Sequence, residues 1–163
     1  MLTIGTKAPD FSLTTKTADG PKLATLSEHA GKSNVVLLFF PMAFTGVCTD
    51  EFCSVSQGLT EYASLDAVVL GISGDNPFAQ EAWAQKEKIT VPLLSDYDHK
   101  VAAAYGVAYA SFAPQLNLPM GGVPKRSAFL VDKAGVIQYA ESSDDPRNLP
   151  DFAAIKAKLA GLK

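Results

Sequence analysis

Cysteine and histidine are scarce in this chain of 163 residues, which contains two of each. A zinc module needs four ligands at regular spacing. The four candidates, which lack such spacing, are Cys48, Cys53, His29 and His99. The Cys-x2-Cys motif of dithiol oxidoreductases is absent as well. We therefore predict no metal site and no cofactor.

The chain also lacks an excess of positive charge and a long apolar run. Its formal net charge of −3 argues against nucleic acid or an anionic membrane as a partner. No apolar stretch approaches the ~18 residues that cross a bilayer, and residues 1–7 lack the features of a signal peptide. No repeat or linker interrupts residues 1–163. We expect a single domain in a cytoplasmic protein.

A buried strand followed by a proline is the most informative pattern that is present. Residues 34–40 are almost continuously apolar, which predicts a buried strand. Pro41 cannot donate to a sheet, so the strand should end there. After a turn at Gly46, acidic residues favour a helix start, and we predict a helix over residues 48–65. Cys48 would then lie at the N-terminus of a helix.

The other patterns alternate strands with helices. They predict, in chain order, a hairpin over 11–26, a strand over 65–72, a helix over 77–88 capped by Asn76, a short strand over 91–94, a helix over 99–105 capped by Asp98, a hairpin over 127–140 and a helix over 145–162. Residues 107–123 form an apolar segment without regular pattern, which could cover a site, pair with another subunit or pack on its own domain. The order of these strands and helices predicts an α/β fold. The predicted fold is a thioredoxin-like sandwich, whose mixed central sheet is flanked by helices, with an N-terminal β-hairpin extension.

The position of Cys48 favours a nucleophile. A cysteine reacts as the thiolate, and a helix N-terminus is one of the few places that lowers a thiol pKa. Thr45 precedes it by three residues and could direct its hydroxyl at the sulfur. The alternative is a small buried hydrophobic residue, a common environment for free cysteine.

A family resemblance decides between these alternatives. The pattern Pro41-x3-Thr45-x2-Cys48, with Phe44 before the threonine and Glu51 after the cysteine, resembles the active-site signature of the peroxiredoxins. Supporting stretches are found at residues 5–13, 70–75, 92–96 and 126–132. Residues 44–46, 76–83 and 121–126 are similar to the alkyl hydroperoxide reductase E-like group. The Cys-x4-Cys spacing is similar to the bacterioferritin-comigratory (Q-type) group.

The resemblance implies a thiol-dependent peroxidase that reduces hydrogen peroxide and organic hydroperoxides. It makes Cys48 the residue that becomes sulfenic acid, and it gives Thr45 and Arg126 contacts to the peroxide and Pro41 a shielding role. Glu51 and a second arginine, for which Arg147 is the candidate, would hold Arg126 in place. A homodimer is the family-based expectation.

The role of Cys53 stays open between two interpretations. It could resolve the sulfenic acid as a disulfide, or pack on a helix face while an external thiol does so. On an ideal helix the two Cα atoms are ~8–9 Å apart, and a disulfide needs roughly 4.4–6.8 Å. The first turns would therefore have to unwind.

The reductant and the biological role also stay open. Thioredoxin, a glutaredoxin-like protein or a small thiol could supply electrons. A different class of function would be a peroxide-responsive sensor or redox-binding module, which oxidises once and then stalls.

Overall fold

The computed structural model describes residues 1–162 and contains a seven-stranded mixed sheet with helices on both faces. The strands are β1 (Ser12–Thr17), β2 (Gly20–Thr25), β3 (Asn34–Phe39), β4 (Ala67–Ser73), β5 (Leu93–Ser95), β6 (Ser127–Val131) and β7 (Ile137–Ser142). The helices are α1 (Gly46–Gln57), α2 (Leu59–Ser64), α3 (Pro77–Glu87), α4 (Lys100–Ala104) and α5 (Phe152–Ala160). Across the sheet the order is β2-β1-β5-β4-β3-β6-β7. The predicted mixed sheet with an N-terminal hairpin at its edge is confirmed.

The interior strand β3, between β4 and β6, is covered on both faces, and its successive side chains point alternately into two cores. One face packs against α1, α3 and α5, and its core includes Leu38, Phe52, Trp83 and Ile155. The other face packs against α4 and the N-terminal segment, and its core includes Phe11, Leu37 and Tyr105. The continuous apolar sequence of β3 follows from this double burial.

Strand direction brings two distant segments to one end of the sheet. β3 pairs with β6 in antiparallel fashion, and Phe39 lies opposite Ser127. The chain leaves β3 through Pro41 at the point where Arg126 leads into β6. Side chains from these two segments can therefore meet beyond the end of the sheet.

The helix predicted over residues 48–65 is in fact two helices. α1 ends at Gln57 and α2 begins at Leu59, with Gly58 between them. The Gly58 N–H donates to the Val55 carbonyl, three residues back, so the α-helical hydrogen-bond pattern is broken there. Glycine is a poor helix former, by about 1 kcal/mol relative to alanine, which accounts for the interruption.

The cap predicted for the helix after β5 was assigned to the wrong aspartate. The buried carboxylate of Asp96 accepts from the N–H groups of Val101 and Ala102, at 3.0 and 2.8 Å. Asp98 is exposed and pairs with Lys100. The difference arises because His99 takes a left-handed conformation, with φ 58°, and turns the chain so that the earlier carboxylate reaches the helix start.

The closing helix begins later than predicted. We expected it from residue 145, but α5 starts at Phe152, and the Asp151 carboxylate accepts from the Ala154 N–H at 2.9 Å. Pro150 disfavours a helical conformation at the residue before it. The chain before α5 therefore forms turns, one closed by the Asn148 N–H on the Asp145 carbonyl.

The irregular segment 107–123 folds back on itself. The Tyr109 N–H donates to the Val123 carbonyl at 2.8 Å, and the Phe112 N–H donates to the Met120 carbonyl at 2.7 Å. Its tip exposes Leu116 and Leu118. Within residues 1–162, no helix has the length and apolar character needed to span a bilayer.

Candidate active site

The sulfur of Cys48 accepts a hydrogen bond from a buried guanidinium. Nη2 of Arg126 lies 3.0 Å from Sγ of Cys48. The two residues are only 2% and 1% exposed, respectively. A donor with a full positive charge makes a stronger hydrogen bond than a neutral donor, and the strength increases when water is excluded. The contact therefore favours negative charge on this sulfur.

Two further partners fix the orientation of Arg126. Its Nη1 pairs with Oε2 of Glu51, and its Nε donates to the Pro146 carbonyl at 2.8 Å. Each guanidinium nitrogen thus has a different acceptor, a task suited to the planar fork of arginine. Burial raises the pKa of Glu51 to about 7, while the Arg126 guanidinium opposes that rise. The predicted contact between Glu51 and Arg126 is present.

The first turn of α1 supplies unpaired donors close to the sulfur. The first intrahelical bond runs from the Thr49 N–H to the Thr45 carbonyl, at 3.0 Å. The N–H groups of Gly46, Val47 and Cys48 have no hydrogen-bond acceptor among residues 1–162. A helix N-terminus with free amides attracts negative charge. The amides and the guanidinium together form an environment for an anion.

The Thr45 hydroxyl has a different direction from the one expected. It donates to the Met42 carbonyl at 2.9 Å, so its single proton is not directed at the Cys48 sulfur. Its oxygen still has free lone pairs. Thr45 and Gly46 are exposed and Pro41 is buried. Access to the sulfur is narrow, because Cys48 itself is 1% exposed.

Arg147 lies apart from the other predicted site residues. Its side chain is 80% exposed, and its Nη2 pairs with Oδ2 of Asp145 at 2.7 Å. This ion pair lowers the pKa of Asp145 to about 2. Two residues of separation in a tight turn make the local pair available, so Arg147 does not reach Arg126. The preceding residue, Pro146, contacts Arg126 instead, through its carbonyl.

Cys53 has a different environment on the same helix. Its sulfur is half-buried and donates to the Glu87 carbonyl at 3.4 Å. Burial raises the pKa of the Cys53 thiol, with smaller contributions from the carboxylates of Glu87 and Asp50. Both cysteines are free. α1 is continuous from residue 46 to residue 57, so the two Cα atoms are about 8–9 Å apart.

Two polar residues beside the site were not identified from the sequence. The Thr49 hydroxyl accepts from Nε1 of Trp83 at 3.1 Å and donates to the Thr45 carbonyl at 2.9 Å. The Asp75 carboxylate accepts from the Ala43 N–H at 2.8 Å. An aspartate two residues after the end of a buried strand is a signal that could have drawn attention to Asp75, because such side chains often bind nearby backbone groups.

Comparison with known proteins agrees with this geometry. The model of the AhpC/TSA family matches residues 4–140. Alkyl hydroperoxide reductase E of Mycobacterium tuberculosis is 38% identical over 143 residues, which cover 86% of each chain. The chloroplastic 2-Cys peroxiredoxin BAS1 of Hordeum vulgare is 32% identical over 144 residues, covering 84% of this chain and 64% of the relative.

Solved structures show the same likeness in three dimensions. The crystal structure of the peroxidoxin BcpB from Mycobacterium tuberculosis superposes with a TM-score of 0.83 at 29% identity, covering 100% of this chain and 99% of the other. The AhpC structure from the same organism gives a TM-score of 0.82 at 28% identity, covering 99% and 93%. The predicted thioredoxin-like fold and the predicted resemblance are confirmed. The chain belongs to the AhpC/TSA family, the peroxiredoxins, which are thiol-dependent peroxidases.

Proposed function

We propose that this chain reduces hydrogen peroxide and organic hydroperoxides at Cys48, which becomes a sulfenic acid. The observation that carries the proposal is the 3.0 Å contact between Nη2 of Arg126 and the Cys48 sulfur. A nucleophilic thiolate needs a nearby positive charge, and the transition state needs donors for the oxygen that becomes negative. Arg126 supplies the first, and the guanidinium with the free amides of α1 supplies the second.

The first step is an in-line displacement at oxygen. The Cys48 thiolate attacks the terminal oxygen of ROOH, an S–O bond forms, and the O–O bond breaks. The sulfur is oxidised by two electrons to sulfenic acid, and RO⁻ leaves and takes a proton to become water or an alcohol. The Thr45 oxygen can accept from the peroxide O–H, because its own proton is given to Met42. The role of Pro41, buried at the end of β3, is to keep water from the sulfur.

The second step requires α1 to open. Cys48 is 1% exposed, so an external protein thiol cannot approach it while the first turn is folded. Once that turn unwinds, Cys53 competes from the same chain at an effective concentration in the millimolar range. We therefore assign Cys53 as the resolving thiol: its sulfur attacks Cys48–SOH, a disulfide forms and water leaves. Reduction by thioredoxin, a glutaredoxin-like protein or a small thiol returns both cysteines to thiols.

Direct attack by an external thiol is the second candidate for this step. The raised pKa of Cys53 and its hydrogen bond to the Glu87 carbonyl favour it, because both make Cys53 a slower nucleophile in the folded helix.

A homodimer is part of the proposal. Support comes from large apolar side chains that are more than 40% exposed in the single chain, among them Phe44, Phe78, Tyr97, Leu116 and Leu118. Light scattering over a range of concentrations tests it, and a constant monomer mass would refute it.

Intact-protein mass spectrometry after one equivalent of peroxide tests the function. Wild type should lose two hydrogens, Cys53→Ser should gain one oxygen, and Cys48→Ser should not change. Wild type that gains one oxygen without losing two hydrogens would refute the role of Cys53, and an oxidised Cys48→Ser would refute the role of Cys48. Multiple turnover with excess peroxide and a thiol reductant is expected; a single oxidation followed by a stall would instead identify a sensor.

A further inference from the structure

The loop between β3 and α1 is held in an unfavourable conformation. Phe44 has φ 63°, a left-handed conformation that is costly for a residue with a bulky side chain. Pro41 has no N–H, and the hydroxyl of Thr45 bonds only within the loop, to Met42. Such a conformation persists only when surrounding contacts determine it.

One side chain outside the loop hydrogen-bonds to the loop backbone. Oδ2 of Asp75 accepts from the Ala43 N–H at 2.8 Å. Among residues 1–162, no other side chain hydrogen-bonds to the backbone of residues 41–44 from outside the loop. The cap of α3 is not the function of Asp75, because Asn76 accepts from the Ala79 N–H at 2.9 Å. The Asp75 carboxylate is therefore available to bind the backbone of the loop.

Buried polar contacts fix Asp75 to the end of the sheet. Its Oδ2 also accepts from the Ser73 hydroxyl at 2.7 Å, and its carbonyl accepts from the Ser95 hydroxyl at 2.6 Å. The Ser73 oxygen accepts from Nε2 of Gln80 at 2.9 Å, and that nitrogen also reaches the Leu94 carbonyl at 2.9 Å. Gln80 is 1% exposed. The loop is therefore anchored through a chain of hydrogen bonds to β4, β5 and α3.

We propose that Asp75 is a positioning residue for peroxide reduction, acting through the loop and not on the sulfur. This inference rests on the function proposed above. Arg126, which leads into β6, is held by Glu51 of α1 and by the Pro146 carbonyl. Thr45 and the free amides of α1 are held from the β4 side, and Asp75 is the link. The peroxide has to contact the Arg126 guanidinium and the Thr45 loop at the same time, so these groups must keep their relative positions. A shift of about 1 Å in a catalytic array can cost about 100-fold in rate.

The test compares two reactions of one sulfur, in a Cys53→Ser background that stops at the sulfenic acid. Asp75→Ala should lower the second-order rate constant for peroxide by about 10- to 100-fold. Alkylation of Cys48 by iodoacetamide should stay within about twofold, because the contact with Arg126 is untouched and alkylation uses no oxygen donors. Rapid quenching with mass spectrometry measures both reactions. Asp75→Asn keeps an acceptor for the Ala43 N–H and should recover most of the peroxide rate.

Asp10→Ala is the matched control. The Asp10 carboxylate also binds backbone amides, those of Phe11 and Ser27, each at 2.9 Å, but it does so before β1. This control should lose stability without loss of the peroxide rate. If Asp75→Ala does not fold, Ser73→Ala gives the second test, since it loosens the same carboxylate and should slow only the peroxide reaction.

Three results would contradict the role of Asp75. They are an unchanged peroxide rate in folded Asp75→Ala or Ser73→Ala, a parallel fall of both reactions, or an equal effect of Asp10→Ala. A wild-type protein that does not react with peroxide would refute the proposed function itself. That result differs from the three above, which all concern the variants.

Discussion

The two cysteines of α1 are five positions apart and differ in almost every respect. Cys48 lies in the first turn, beside free amides, and accepts from a guanidinium at 3.0 Å. Cys53 lies about one and a half turns later, in the helix interior, and donates to a carbonyl at 3.4 Å. The neighbouring charge is positive at one sulfur and negative at the other, because Glu87 and Asp50 lie near Cys53.

The difference shows that reactivity belongs to the environment and not to the residue type. The donor to Cys48 comes from 78 residues away in sequence, and the acceptor of Cys53 comes from 34 residues away. Sheet topology brings the donor to the end of β3, and packing of α3 brings the acceptor. Two cysteines with opposite surroundings can thus share one helix.

Replacing each cysteine by serine should give the largest contrast. Cys48→Ser should abolish consumption of peroxide, because no other sulfur is activated. Cys53→Ser should leave the first step within about twofold, since Cys53 makes no contact with the reacting atoms. Stopped-flow kinetics with hydrogen peroxide measures both. Comparable residual rates in the two variants would show that Cys48 and Cys53 do not differ in their reactivity with peroxide.

The two arginines provide the next contrast. Arg126→Ala should lower the peroxide rate constant by about 100- to 1,000-fold, the usual cost of losing a donor to a developing negative charge. It should also destabilise the fold, because Glu51 loses its buried partner. Arg147→Ala should change neither, since its guanidinium is exposed and, within residues 1–162, hydrogen-bonds only to Asp145. A large effect at Arg147, or none at Arg126, would contradict the assignment.

The Glu51 carboxyl predicts a dependence of stability on pH. Its pKa is about 7 when folded against an ordinary value of 4.5, so the folded state holds a proton that the unfolded state releases between these values. Its contribution to stability is therefore complete below pH 4.5 and is lost as the pH rises through 7, with a span of about 3 kcal/mol. Glu51→Gln should flatten the profile of the free energy of unfolding in that interval, as measured by urea denaturation.

Asp145→Asn is the control for this titration. The pKa of Asp145 is lowered to about 2, so its carboxyl stays ionised over the same interval in the folded protein. The profile above pH 4.5 should keep its slope in this variant. The opposite outcome, a slope that survives Glu51→Gln and disappears with Asp145→Asn, would overturn the interpretation.

The smallest effect concerns the opening of α1. Thr49→Val removes the hydrogen bonds to Trp83 and to the Thr45 carbonyl, and should destabilise the closed first turn by about 1 kcal/mol. Disulfide formation after peroxide should then be about fivefold faster, while the first step changes little. Thr60→Val, at an exposed position of α2, is the matched control. A slower disulfide in Thr49→Val would exclude opening at this turn as the limiting event.

The sequence was sufficient for the parts of the molecule that depend on local pattern. The apolar run of β3, its end at Pro41 and the cap at Asn76 follow from local rules, as does the position of Cys48 in a first turn. The site could be anticipated because the family motif names Arg126. The antiparallel pairing of β3 with β6 then explains why Arg126 lies at the end of β3, close to Cys48.

The parts that could not be predicted depend on competition between similar neighbours. Asp96 and Asp98 are equally plausible caps in sequence, and the left-handed turn at His99 selects the first. Arg147 has an acid two residues away, and this local pair competes with the distant one that we expected. The hydroxyl of Thr45 similarly prefers the nearby Met42 carbonyl. In each case the backbone geometry decides which partner is bonded, and the preferences of single residues do not predict that geometry.

The position of the first sulfenic acid tests the central claim most directly. Cys53→Ser and Cys48→Ser are each treated with limiting peroxide in the presence of dimedone, and the adduct is located by peptide mass spectrometry. The account predicts an adduct on Cys48 in the first variant and none on Cys53 in the second. An adduct on Cys53 at a comparable rate would show that the guanidinium of Arg126 does not select the reactive sulfur.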